Sequence, residues 1–169
     1  WIGSWEEGLF RVKADGTIEN FKYNAKDPHS LSSNFVRACC EDNLGNIWIG
    51  TFNGLNRYNK ITGLFQNHTA NDTQADGLTH SSIWCIVKDN QGTLWLGTYF
   101  GGVNYFNPEY EIYTRYSYSS NEKKGLSNPV VGRTIEDRDG NLWIGTEGGG
   151  LNYYNRRTRE FKWYRPQEG

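Results

Sequence analysis

The stretch Asp137-Arg-Asp-Gly-Asn-Leu-Trp-Ile-Gly-Thr146 contains the pattern that decides the fold of this chain. Its tryptophan, Trp143, recurs at spacings of 47, 47 and 48 residues, with earlier copies at Trp1, Trp48 and Trp95. Each copy begins the same phrase, Trp, then Ile or Leu, then Gly, then Ser or Thr. A fixed period of this length indicates a repeat architecture, in which each unit buries its apolar faces only against a neighbouring copy.

Each repeat holds four short runs rich in β-branched and aromatic residues, and the runs are bounded by Gly, Asn and Asp. Such runs are typical of β-strands, and no segment keeps a helical period. The Asp-x-x-Gly before each of the last three tryptophan strands predicts a hairpin turn with a positive φ at the glycine. Four antiparallel strands in a repeat of about 47 residues are typical of a β-propeller blade. The tryptophans would then pack between neighbouring blades.

We therefore predict an all-β fold and a single partial β-propeller domain over residues 1–169, with about four four-stranded antiparallel blades. The blade units are roughly 1–34, 35–81, 82–129 and 130–169. The chain starts at the tryptophan of its first unit, so the first blade is expected to lack its innermost strand. The pattern predicts a fragment of a larger propeller.

Composition narrows the classes of function. The net charge is −1, from 18 basic and 19 acidic residues that are interspersed, which gives no electrostatic footprint for nucleic acid. No apolar stretch approaches the length of a membrane span, so we expect no direct membrane contact by this segment. The 26 aromatic residues (7 Trp, 11 Tyr and 8 Phe) can supply the core of a domain of this size.

The three cysteines, Cys39, Cys40 and Cys85, fit no metal-ligand spacing. We expect them to be buried thiols that act as small hydrophobic side chains. A bridge between Cys40 and Cys85 stays open, because it depends on a Cα separation below about 7 Å.

Motifs that would carry catalysis or bind a cofactor or metal are incomplete. The run Gly145-Thr-Glu-Gly-Gly-Gly-Leu lacks the Gly-Lys-Ser/Thr ending of a phosphate loop, and no helix pattern follows it. The segment from Asp137 to Asn141 resembles the start of a calcium loop but lacks the distal Glu. Glycoside hydrolysis would need two carboxylates across a pocket, and nothing in the sequence pairs any two. The sequence therefore predicts no catalytic residue, cofactor or metal.

Positions that differ between blades are better candidates for binding than positions that every blade shares. On a propeller, ligands gather where the innermost strands and their preceding loops converge. Two sets of variable positions are expected there, one in the innermost strands and one just after the Gly-Ser/Thr of the tryptophan strand. Aromatic side chains beside Arg and His suit stacking on sugar rings with hydrogen bonds to hydroxyl groups. The predicted ligand-binding residues are Trp5, Arg37, His80, Trp84, Tyr99 and Arg133.

The complete repeat reads Asp-x-x-Gly-Asn-Leu-Trp-Ile-Gly-Thr-x-x-Gly-Gly-Leu-Asn-x-Tyr-Asn, followed by a Phe-x-x-Tyr strand and a Leu-Ser return. It resembles the two-component regulator propeller repeat, closely at 137–155, 42–59 and 89–107 and partially at 1–36. The resemblance implies the periplasmic sensor of a hybrid two-component protein anchored in the inner membrane, usually with two seven-bladed propellers before a membrane span and a histidine kinase. Its implied ligands are oligosaccharides released from glycans.

Three hypotheses follow. The first is a non-catalytic, periplasmic, ligand-sensing module that responds to oligosaccharides. The second is a propeller used for protein–protein contact or dimerisation, with self-association through exposed blade edges. The third is a fragment of a propeller lyase or glycosidase, which would need a pair of acidic residues in one pocket.

Overall fold

Short strands joined by tight turns make up the chain in the computed structural model, which describes residues 1–70 and 77–165. Within those ranges the only helical segment is a 3₁₀ turn at Glu122–Lys124, and no helix is long and apolar enough to cross a membrane. The strands are β1 Ile2–Gly3, β2 Leu9–Val12, β3 Ile18–Phe21, β4 Val36–Glu41, β5 Ile47–Thr51, β6 Gly54–Tyr58, β7 Phe65–His68, β8 Ile83–Lys88, β9 Leu94–Thr98, β10 Val103–Asn107, β11 Ile112–Tyr116, β12 Val131–Glu136, β13 Leu142–Thr146, β14 Gly150–Asn155 and β15 Glu160–Tyr164.

The strands form four antiparallel sheets, each in simple chain order. The first sheet contains β1, β2 and β3, and the others contain β4 to β7, β8 to β11 and β12 to β15. The innermost strands β4, β8 and β12 lie side by side. This is the arrangement of β-propeller blades, and it confirms the predicted all-β propeller fold, including the missing innermost strand of the first blade. Each sheet lies within one of the four units read from the sequence.

The core consists of three apolar layers, one between each pair of neighbouring blades. Trp48 of the second blade is fully buried against Phe106 of the third, with ring centroids 4.9 Å apart. Trp95 of the third blade packs in the same way on Tyr154 of the fourth, at 5.8 Å. Trp48 and Trp95 are therefore inter-blade packing residues, because the second and third blades each bury this tryptophan against the next blade.

The predicted hairpin turns are present before β5, β9 and β13, and Gly45, Gly92 and Gly140 have φ values of 81°, 85° and 80°. These values lie in the left-handed region, where a side chain would be strained. Glycine is therefore required at this position of each turn.

The three cysteines are all free thiols. Cys85 is buried, as expected, and burial raises the pKa of its thiol. Cys39 is exposed and Cys40 is only partly buried, so the expectation that all three are buried is wrong for these two residues. Side chains alternate between the two faces of β4. The first sheet has no innermost strand to cover the face that carries Cys39.

Candidate functional site

Each innermost strand begins with a β-bulge. In β4, Val36 pairs with Thr51 and Ala38 pairs with Gly50, so Arg37 is the extra residue. The same register shift leaves Trp84 as the extra residue in β8 and Gly132 in β12. A bulge turns the side chain of the extra residue away from the normal alternation of the strand. The three blades thus present an arginine, a tryptophan and a glycine at one equivalent position.

The turn after each tryptophan strand is tied to the start of the innermost strand of the same blade. The amide of Phe52 donates to the carbonyl of Phe35 at 3.0 Å, and that of Tyr99 donates to Ser82 at 3.1 Å. Glu147 donates to Val130 in the same way at 2.9 Å. These bonds hold the residue after Gly-Thr next to the bulge. The two variable sets predicted from the sequence therefore lie side by side.

Together these elements build a continuous series of stacked side chains, which we call the aromatic row: Trp5, Arg37, Trp84, Tyr99 and Phe100. The Arg37 guanidinium carbon lies over two indoles, 4.9 Å from the centroid of Trp5 and 4.5 Å from that of Trp84. Trp84 stacks on Tyr99 at 5.2 Å with an interplanar angle of 16°. Phe100 meets Tyr99 edge-on at 4.3 Å. The row draws its members from the first three blades.

The ends of the aromatic row are open to solvent. Trp5 is 60% exposed and Phe100 is 56% exposed, whereas Arg37, Trp84 and Tyr99 between them are partly buried. Large aromatic faces that remain exposed on a folded domain are candidates for contact with a ligand. The row therefore combines a fixed interior with accessible faces at its two ends.

Arg37 is the charged centre of the row. Burial lowers the pKa of its guanidinium below the ordinary 12.5, and the effect of Tyr99 opposes that shift. Arginine nevertheless stays protonated in proteins, so the row carries a positive charge. Within residues 1–70 and 77–165, no Asp or Glu lies within ion-pair distance of Arg37. The two indoles that it lies over stabilise the cation through their π-systems.

The structure brings together five of the six predicted site residues. Trp5, Arg37, Trp84 and Tyr99 belong to the row. His80 lies beside it, 6.3 Å from the rings of both Tyr99 and Phe100, and its Nδ1 accepts a bond from the amide of Ser82. Whether any of them binds a ligand stays a prediction.

The sixth predicted residue, Arg133, lies outside the aromatic row. It lies on the outward face of the fourth blade with Ile135 and Trp143, and no ring contact, hydrogen bond or ion pair between described residues joins it to the row. It follows the bulge residue Gly132, so it keeps the normal alternation of β12 and faces a different side of the sheet. A role for Arg133 in ligand binding also stays a prediction.

Sequence reasoning did not select Phe35 as a site residue. Phe35 meets Trp5 edge-on at 5.6 Å and Phe52 at 6.2 Å, which extends the aromatic surface beside the first end of the row. The equivalent residues of the next blades are Ser82 and Val130. Phe35 therefore differs from its counterparts in the other blades, and a search for positions that vary between blades would have found it.

A second opening, a cavity of about 390 Å³, lies between the third and fourth blades. At the equivalent place between the second and third blades, Arg57 and Glu111 form a 2.9 Å ion pair. Between the third and fourth blades these two positions are occupied by Tyr105 and Arg159. The cavity is open because this pair is absent. Its buried charge, Arg156, is already compensated by Asp89 at 3.0 Å, so the aromatic row is the stronger candidate site.

The described part of the chain contains no group of three or more His, Cys, Asp or Glu side chains that could hold a metal ion. The residues of the row itself are aromatic or cationic. Such groups can stack on a ring and donate hydrogen bonds.

The fold defines the class of this protein as a β-propeller, and the row gives it a partly exposed aromatic surface. Three segments, 30–53, 77–100 and 125–148, match the two component regulator propeller family. These three segments are therefore copies of the two component regulator propeller repeat. No curated protein sequence matches it.

Solved structures share the fold. The extracellular domain of a proposed hybrid two component system from B. thetaiotaomicron is 23% identical, with a TM-score of 0.77, and the match covers 96% of this chain and 21% of that one. Virginiamycin B lyase from Staphylococcus aureus is 15% identical, with a TM-score of 0.68 and coverage of 96% and 50%. An auxiliary nutrient binding protein from Bacteroides ovatus is 11% identical, with a TM-score of 0.58 and coverage of 96% and 36%. The chain thus spans about a fifth of the first of these proteins and half of the second.

Proposed function

We propose that this chain is a non-catalytic, ligand-sensing part of the periplasmic sensor domain of a hybrid two-component histidine kinase. Its ligand would be an oligosaccharide from glycan breakdown. The repeat family and the fold shared with the extracellular domain of a two component system support the sensor class. The observation that carries the ligand proposal is the aromatic row, with Trp5 and Phe100 exposed at its two ends.

Stacked aromatic faces beside polar groups suit a sugar. The C–H face of a pyranose ring packs on an indole or phenyl face, and the ring hydroxyls need donors and acceptors at its edge. The row offers the exposed indole of Trp5 and the ring of Phe100, with Arg37 and His80 nearby as polar groups. This combination accepts a flat, hydroxyl-rich ligand better than a purely apolar one.

The row lacks the groups that hydrolysis requires. A glycosidase needs two carboxylates on opposite sides of the scissile bond. No carboxylate of the described residues lies within ion-pair distance of Arg37, the central residue of the row. The fold shared with virginiamycin B lyase gives no reason to assign that activity here. Sensing would instead work by differential affinity, because a ligand shifts a conformational equilibrium only if it binds one arrangement more tightly.

The proposal is tested by isothermal titration of the protein that carries this chain against a panel of oligosaccharides. We expect at least one of them to bind and Trp5→Ala to weaken that binding about tenfold, which corresponds to about 1.4 kcal/mol. Trp5 is mostly exposed, so the substitution should leave the fold intact. Tyr110→Ala is the matched control, because Tyr110 is 66% exposed on an outer turn away from the row.

Absence of binding across the whole panel would rule out the glycan proposal. An equal loss of affinity in Trp5→Ala and Tyr110→Ala would place the binding site elsewhere on the propeller.

A second candidate function is self-association through the outward face of the fourth blade. Ile135 and Leu151 on this face are 63% and 39% exposed, beside Trp143. The equivalent faces of the second and third blades are covered, with Trp48 and Trp95 buried. A second copy of this chain could cover the fourth face in the same way. Under this proposal glycans would leave the association unchanged.

A further inference from the structure

Arg37 differs from the arginines that stack on the repeated tryptophans of the first three blades. Arg11 lies over Trp1 at 5.5 Å, Arg57 over Trp48 at 5.8 Å and Arg156 over Trp95 at 5.7 Å. Each of these three also pairs with a carboxylate, at 3.6 Å for Arg11, 2.9 Å for Arg57 and 3.0 Å for Arg156. Arg37 is enclosed by two indoles and has no such partner among the described residues. A partly buried cation without a counter-ion is unfavourable until an anion reaches it.

The polar atoms of the row that are buried without a hydrogen-bond partner are all donors. Nε of Arg37 and Nε1 of Trp84 are both buried without a partner, and both are donors. Leaving a buried donor without a hydrogen-bond partner is unfavourable. The terminal nitrogens of Arg37, Nη1 and Nη2, are not among these buried atoms and remain available to acceptor oxygens of a ligand. The aromatic row therefore lacks hydrogen-bond acceptors and negative charge.

The stacking also determines the direction from which a ligand can approach. The Arg37 guanidinium carbon lies over the rings of both Trp5 and Trp84, so we expect a ligand to approach the group along its edge. The N–H groups of a guanidinium lie in its plane and point outward along that edge, where they match the two oxygens of a carboxylate or sulfate. A neutral hydroxyl group can accept one such bond but cannot compensate the charge.

We propose that the ligand of the aromatic row is an acidic sugar, whose carboxylate or sulfate binds the edge of Arg37 while its ring stacks on a neighbouring aromatic face. This inference rests on the proposed function, because it assumes that the row binds a glycan. It adds a requirement for a negative charge, which a neutral oligosaccharide lacks.

The test is isothermal titration of the protein that carries this chain with matched pairs of ligands. Digalacturonate and galactobiose differ in carboxylates, and a sulfated disaccharide and its unsulfated form differ in sulfate. We expect the acidic member of at least one pair to bind at least tenfold more tightly than its neutral counterpart. The pair that shows the preference identifies the anion. Added salt should weaken the acidic ligand more than the neutral one.

Two variants then locate the charge. Arg37→Gln should abolish the preference for the acidic ligand, while Arg37→Lys should keep part of it through the remaining charge. Arg165→Gln is the matched control, because Arg165 lies 4.5 Å from the ring of Trp163 at the exposed end of β15. Circular dichroism checks that both Arg37 variants fold, and the Lys variant carries the test if the Gln variant does not.

Each result supports or overturns the inference. Equal binding of acidic and neutral ligands, or a preference that survives Arg37→Gln, overturns it and leaves the proposed glycan sensor intact. A protein that binds neither member of any pair contradicts both proposals.

Discussion

At the scale of single residues, Asp42 organises its repeat. One carboxylate oxygen, Oδ1, accepts bonds from the amides of Leu44 and Asn46, each at 2.9 Å, and so closes the hairpin turn. The other, Oδ2, accepts the indole N–H of Trp48 at 2.7 Å. The turn and the packing tryptophan are therefore fixed by one side chain. Asp89 repeats this arrangement with Trp95 at 2.9 Å.

Asp137 closes its hairpin turn but does not bind its tryptophan. Its Oδ1 accepts the amides of Asp139 and Asn141, but no hydrogen bond from the Trp143 indole is present among the described residues. The fourth blade thus retains the turn without the link to its tryptophan. A comparison of Asp42 with Asp137 therefore distinguishes the two roles of this aspartate, which are closing the turn and binding the tryptophan indole.

We expect Asp42→Asn to lower the free energy of unfolding by about 2 kcal/mol, because the amide nitrogen cannot accept the bonds that the carboxylate accepts and buried donors lose their partner. Asp137→Asn should cost less, since no indole bond is lost. Urea denaturation at neutral pH measures both variants. Equal losses would show that the bond to Trp48 contributes nothing to stability.

The same residue predicts a pH dependence. Burial tends to raise the pKa of Asp42, but hydrogen bonds from Asn46, Trp48 and the turn amides outweigh it, and the pKa is lowered from its ordinary 3.8. A carboxylate with a lowered folded-state pKa stabilises the fold above its unfolded pKa. That stability is lost as the pH falls below 3.8 and through the folded-state value. Acid unfolding followed by tryptophan fluorescence should therefore be steeper in the wild-type chain than in Asp42→Asn.

At the scale of elements, two repeated residues explain how neighbouring blades fit. The first is the asparagine at the centre of β6, β10 and β14, which is fully buried as Asn56, Asn104 and Asn152. Its Oδ1 accepts the amide of Ser32, Thr79 or Ser127 from the Leu-Ser/Thr return segment, at 2.8 to 3.1 Å. This bond satisfies a buried amide and holds the return segment against its blade.

The second is the glycine that follows Trp-Ile or Trp-Leu. A Cβ on Gly97 would lie 2.7 Å from Cγ1 of Val131 in the next blade, and one on Gly50 would lie 2.7 Å from Cγ2 of Ile83. A Cβ on Gly145 would meet nothing closer than 3.8 Å. Glycine is thus needed in the middle blades because an innermost strand packs directly on the backbone of the tryptophan strand.

We expect Gly97→Ala to destabilise the chain by about 2 kcal/mol, because the added methyl group overpacks a contact between two backbones and their side chains. Gly145→Ala, at the same position of the fourth blade, should be close to neutral in the monomeric 169-residue chain. Chemical denaturation compares them. A neutral Gly97→Ala would show that the inter-blade layer can relax to accept a methyl group.

At the scale of the whole molecule, the outward faces of the second and third blades are covered by the next blade, whereas the outward face of the fourth blade is not. Trp48 and Trp95 are buried by the next blade, whereas Trp143 shares a shallow cavity of about 400 Å³ with Ile135 and Leu151. An apolar sheet face of this kind favours association, because covering it removes apolar surface from water. The propeller geometry that buries three inter-blade layers also creates this face.

We expect the 169-residue chain to self-associate with increasing concentration, and Ile135→Lys to shift it towards the monomer. Light scattering and sedimentation measure the effect. Ile61→Lys is the matched control, since Ile61 is 95% exposed on a turn of the second blade. A wild-type chain that stays monomeric at high concentration would contradict the proposal, and so would equal effects of the two variants.

The sequence by itself determined the blades. Strand alternation, the Asp-x-x-Gly turn and the Trp-x-Gly phrase act over a few residues, so the period of Trp1, Trp48, Trp95 and Trp143 was enough to predict the fold. It also identified Trp5, Arg37, Trp84 and Tyr99 as departures from the repeat. Local patterns cannot show which of these side chains touch.

Only the tertiary structure decided how the candidate site is assembled. Trp5, Arg37 and Trp84 come from three different blades, and their contact depends on the inter-blade packing and on a bulge that redirects one residue in each innermost strand. The same bulge falls on Gly132 in the fourth blade, which leaves Arg133 on the outward face instead of in the row. A shift of one residue in strand register changes the face on which a side chain lies. For that reason the sequence predicted four of the five members of the aromatic row but could not separate them from Arg133.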